Sequence, residues 1–150
     1  MSAREPTLAA QDSEDLEIVS ARLQDAVAQI KDLVWLPKSR RFVALFSRFK
    51  WETAEAGKGE NARVRSLLHF DSVFSAKGHK LKRSDPNAVA SLLTIQFTPK
   101  GPEDPAGTVE LVFAGGGAIR LEVECIDVGL TDVSGPWAAR GRPAHEIEEI

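Results

Sequence analysis

The stretch "TVELVFAGGGAIRLEVECI", residues 108–126, decides the fold. Before the glycines, Val109, Leu111 and Phe113 alternate with Thr108, Glu110 and Val112. After them, Ile119, Leu121, Val123 and Cys125 alternate with Arg120, Glu122 and Glu124. An apolar residue at every second position gives a strand one buried and one wet face. Two such strands around Gly115, Gly116 and Gly117 predict a hairpin, because glycine supplies positive φ without a steric cost. A phosphate-binding loop does not fit. That pattern needs a second glycine where Arg120 stands, a Lys-Ser/Thr pair after it, and a helix whose amides face the anion. The segment after these glycines has period two, a strand.

Working outward, the same period recurs. "SLLTIQF" (91–97) predicts a strand, and "TPKGPEDPAG" (98–107) an exposed loop. "LVWLPKSRRFVALF" predicts a hairpin, with strands near 31–36 and 41–49 about Pro37–Arg40. Residues 52–62 are polar and read as a loop. Residues 63–81 give a long strand, bent near Asp71-Ser72 and turning at Gly78. At the N-terminal end the period changes. Leu16, Val19, Leu23, Ala26 and Ile30 follow helical spacing, which predicts a helix from about Ser13 to Ala28 capped by Asp12 or Ser13.

The expected fold is therefore α+β. An N-terminal amphipathic helix packs on a mainly antiparallel β structure of about six or seven strands. A weak internal correspondence suggests two related three-stranded meanders: Val64-Arg65 falls on Ile119-Arg120, and "RFVALF" (41–46) on "TVELVF" (108–113). By strand count the nearest named architecture is a pleckstrin-homology-like split barrel, an analogy that says nothing of function. Residues 1–12 read as a flexible lead, 13–137 as one domain with Trp137 as an anchor, and 138–150 as a flexible tail.

Composition bounds the function. The chain has 150 residues, 43% hydrophobic and 27% charged, ordinary for one globular domain. No run reaches the ~18 apolar residues of a membrane helix, and the N-terminus lacks a signal-peptide core. A cytoplasmic protein without membrane contact is expected. Cys125 is the single cysteine, which excludes an intrachain disulfide and cysteine-based zinc sites. It reads as a small buried hydrophobe. Charge is uneven: residues 31–83 hold thirteen basic and five acidic side chains, and residues 84–150 hold four and eleven. Attraction between the two halves accounts for this as well as an anionic ligand does.

Candidate chemistry is sparse. Arg40, Arg41, Arg48 and Lys50, interleaved with Phe42, Phe49 and Trp51, form a possible site for an anion or a partner. A pI of about 5.7 argues against a nucleic-acid domain. His69, His79 and His145 have no ligand spacing, and His69 reads as a strand-face residue. The sequence has no nucleophile elbow, and Glu122, Glu124 and Asp127 read as a wet strand face. No catalytic residue, metal or cofactor is assigned.

The motifs "DLEIVSARLQDAV", "WLPKSRRF", "SRFKWE", "FAGGGAIRLEVECID" and "DVSGPWAARGRPAHE" together resemble a bacterial family of small proteins known only as a domain of unknown function. The resemblance runs from about Asp15 to His145. It implies one compact bacterial cytoplasmic domain and carries no catalytic residue, cofactor or partner. The expected function is a non-catalytic interaction module. Its partner is another protein, or a second copy paired through edge strands as a homodimer. The first alternative is nucleic-acid or anionic-ligand binding at the basic 38–50 segment. The second is an enzyme of unknown class.

Overall fold

Asp12 begins the helix. Its carboxylate accepts the Asp15 amide at 2.8 Å, and Glu14 and Asp15 lie at the positive end of the helix dipole. The helix α1 spans Ser13–Arg22 and buries Leu16 and Val19. The computed structural model describes residues 8–49, 63–81, 84–133 and 148–149. Among these, no helix is long and apolar enough to cross a membrane.

The helix is shorter than its apolar spacing predicts. Asp25 turns the chain at φ 68°, and Val27–Gln29 forms strand β2. The reason is tertiary. The Asp25 amide donates to the Leu92 carbonyl, and the Leu92 amide donates back to Ala26. These sheet bonds replace the last helical turn, and Ala26 and Ala28 are buried.

The remaining strands are β1 (Leu8–Ala10), β3 (Leu33–Leu36), β4 (Arg41–Phe49), β5 (Arg63–Phe70), β6 (Val73–His79), β7 (Val89–Pro99), β8 (Gly107–Phe113), β9 (Ala118–Val123), β10 (Val128–Val133) and β11 (Glu148–Glu149). They form an open sheet in the order β1-β10-β5-β4-β2-β7-β8-β9-β6-β11, with β3 also on β4. Pairing is antiparallel except between β11 and β6. The fold is α+β with one helix, as expected. Six or seven strands is an underestimate: the described residues hold eleven. The two long strands each break at a bend, β2 takes the end of the expected helix, and β1 and β11 are too short for a period to show.

Two arrangements repeat. β4 and β5 pair after β3, as β8 and β9 pair after β7. β5 bends into β6 at Asp71-Ser72, where Ser72 has φ 59°, and β9 bends into β10 over residues 124–127. The bent strands then cross: β10 pairs with β5, and β6 pairs with β9. One core joins both halves, from Phe42, Phe46, Leu68 and Phe70 to Val109, Leu111, Phe113 and Leu121. The helix packs against β7, where the Ser20 hydroxyl accepts the Ile95 amide at 2.9 Å beside a register shift in β7.

Three local expectations shift. Gly78 pairs with Ile119 inside β6, and the turn comes at Lys80, at φ 54°. Cys125 is half-buried in the second bend, and Ile126 takes the inward place. Within the expected lead, Leu8–Ala10 pairs with residues 128–130. The 52–62 loop and Trp137 lie outside the described residues, as does the C-terminal tail apart from Glu148-Glu149.

Candidate binding surface

β4 carries most of the basic segment, and strand parity divides it. Positions 41 and 48 differ by an odd number, so their side chains leave opposite faces. Arg41 is exposed and donates to Asp71 at 2.7 Å. Arg40 sits beside it in a left-handed turn at φ 52°. Its guanidinium lies 5.2 Å from the Phe74 ring centroid and 4.0 Å from Glu124. Lys50 lies outside the described residues.

Arg48 is not available to an outside anion, because its exposure is 0%. It follows Phe42, Ala44 and Phe46 on the core face. Its Nε donates to Ser66 Oγ at 2.9 Å, and its Nη2 reaches both oxygens of Asp132 at 3.1 and 3.2 Å. Ser66 also donates to Asp132, at 2.7 Å. Ser66 stands directly opposite both Phe46 and Asp132, so β4, β5 and β10 each contribute one member. A buried charge is tolerated only when it is paired and hydrogen-bonded. The sequence reading missed Ser66 and Asp132. The available signal was a polar residue at the inward position of each strand.

The crossing of the bent strands gathers a second polar group. The Asp71 amide donates to the Asp127 carbonyl, and His69 Nε2 lies 3.6 Å from Asp71. Burial lowers the His69 pKa below 6.5. Asp71 and Asp127 oppose that shift and Arg41 reinforces it. Arg40 and Arg41 therefore come together, but beside Asp71, Glu124 and Asp127. Among the described residues, no three His, Cys, Asp or Glu side chains are grouped to hold a metal.

The glycines make the turn between β8 and β9. Gly115 and Gly116 have φ 88° and 94°, and the Phe113 amide donates to the Gly117 carbonyl at 2.8 Å. Gly117 serves another need. A Cβ there would stand 3.2 Å from the Lys80 carbonyl oxygen and 3.3 Å from Leu81 Cδ2. The third glycine thus admits the chain's own 79–81 backbone.

Two grooves meet at Val89, and the second of them borders this turn. The first, about 390 Å³, opens because β2 pairs with β4 only at Val27–Ser47 before the chain swings through residues 30–32. Leu45 and Phe46 lie in it, with Lys31 and Arg65 at its sides. The second, about 490 Å³, is lined by Ile30, Leu81, Phe113 and the glycine turn, with Lys80 and Asp85. Val89 lines both and is 61% exposed. The rim is fixed by backbone bonds from Ile30 to Ala88 and from Lys31 to Pro86.

Residues 7–145 match the model of a family described as a protein of unknown function (DUF2948), and the chain belongs to that family. No curated protein and no solved structure matches it.

Proposed function

We propose that this chain is a non-catalytic interaction module whose Val89 surface receives an extended segment of a partner protein. The observation that carries this reading is Val89 itself, 61% exposed between two grooves that share it. An apolar side chain held in water between two clefts of mixed lining lowers its free energy when a partner covers it. The clefts suit two apolar side chains of one extended segment. Lys31, Arg65 and Lys80 outnumber Asp32 and Asp85 along them, which favours an acidic segment. The supporting frame is two related three-stranded meanders whose third strands each continue, past a bend, into a strand that pairs with the other meander, an open relative of a split barrel. The matching order of β3-β4-β5 and β7-β8-β9 supports that reading.

Selection from a random peptide library tests the proposal. The expected binders carry two apolar residues with acidic flanks, and they lose affinity for the Val89→Asp variant. A basic consensus, binders indifferent to Val89→Asp, or no binders at all would overturn it. So would a dimer in light scattering that Val89→Asp dissociates, since the surface would then belong to a second copy.

A further inference from the structure

We infer that the groove between β2 and β4 contains a subsite for a monoanionic carboxylate, built by Lys31, Arg65, Gln29 and the Ser47 hydroxyl. The subsite deepens the proposal above by naming the charged group that one end of that surface recognises.

Val27, Ser47 and Arg65 form one cross-strand row, so Ser47 and Arg65 share a sheet face. Gln29 lies two residues beyond Val27 on β2, and Lys31 comes two residues after it. The state of Ser47 sets its role. Arg63 Nε donates to Ser47 Oγ at 3.2 Å, and Arg63 Nη2 donates to the Ser47 carbonyl at 2.9 Å. The hydroxyl oxygen is thus an acceptor already, and its own proton is left to donate. Arg65 and Lys31 have no ion-pair partner among the described residues. These two cations and two neutral donors therefore line one groove, which also includes Leu45, 7% exposed.

Charge selects the ligand. Lys31, Arg65 and the Arg63 bonded to Ser47 outnumber Asp32 there, so this end of the groove carries net positive charge. That charge favours an anion, and the shape of the donors narrows which one. The guanidinium fork of Arg65 matches the planar carboxylate. The apolar floor receives the stem behind it, within a volume at the small end for ligand sites.

Sodium hexanoate and inorganic phosphate, titrated at equal ionic strength against the full chain, test this by amide chemical shifts. Hexanoate should saturate shifts at Gln29, Lys31, Ser47 and Arg65. Arg65→Gln and Lys31→Gln, both at exposed positions, should each weaken it by roughly tenfold. Arg40→Gln with Arg41→Gln should leave it unchanged. No saturable shift at these amides, or a site insensitive to Arg65→Gln and Lys31→Gln, would overturn the subsite. Phosphate binding as tightly as hexanoate would overturn its assignment to a carboxylate. Hexanoate binding that survives when no peptide binds would confirm the subsite and refute only the broader proposal. Peptide binding without hexanoate binding would do the reverse.

Discussion

Two basic side chains set different demands on the same sheet. Arg48 is wholly buried and tied to Ser66 and Asp132, so its charge is useful only as part of the set. Arg48→Ala would take from Asp132 the guanidinium that donates to both its oxygens, and from Ser66 the Nε donor. The expected loss is about 3–5 kcal/mol, read as the shift of the urea midpoint. Arg48→Met, which refills the volume, should lose less. His69 acts through pH. Burial lowers its pKa in the folded chain, with Arg41 adding to the effect and Asp71 and Asp127 working against it. The unfolded chain then binds the proton more readily, so stability is full above the ordinary value of 6.5 and falls as pH drops from 6.5 through the lowered value. Urea midpoints at pH 7.5 and 5.5 check this, and the drop should be smaller in His69→Gln. An equal drop in both would show that other groups cause it.

At the scale of elements, the boundary after α1 shows how local preference yields to pairing. Asp25 holds φ 68° while its amide reaches Leu92. A left-handed residue with a Cβ costs roughly 1–2 kcal/mol, and glycine's added chain entropy costs about 0.5–1 kcal/mol. Asp25→Gly keeps the backbone bond, so it should stabilise the chain by several tenths to about 1 kcal/mol in thermal or urea unfolding. Nothing in the sequence marks this position, because no glycine stands there and the helical stripe continues to Ile30. The same holds for β1 and β2, whose three-residue lengths are too short for a period. Where the period is long, from Thr108 to Val123, the strands and their turn were legible. The candidate site was less so. Arg40 and Arg41 were visible as a basic pair, but their neutralisation by Glu124 and Asp71 depends on the crossing of distant bends. Lys31 and Arg65 meet through a register that no local pattern encodes, and Val89 carries no signal until the sheet leaves it uncovered.

The whole molecule is bound together by exchange. β6 finds its long antiparallel partner in β9, and β5 finds a second partner in β10, so each half completes the sheet of the other. Such pairings close long loops and make folding cooperative rather than modular. The halves also carry opposite charge. Residues 1–84 hold fifteen basic and eleven acidic side chains, and residues 85–150 hold four and eleven. Division of the chain between Ser84 and Asp85, in an exposed stretch between β6 and β7, makes the consequence measurable. Each fragment alone should lack a cooperative transition, because Phe70, Val73, Val123 and Val128 would lose their facing strands. Mixed, the two should recover the circular dichroism of the intact chain and one shared transition. Association should quicken at low salt, since opposite net charges steer the encounter and ions screen them. A fragment that folds independently would show that the exchanged strands are peripheral. Recovery at a rate indifferent to salt would show that the charge imbalance serves something other than assembly of the fold.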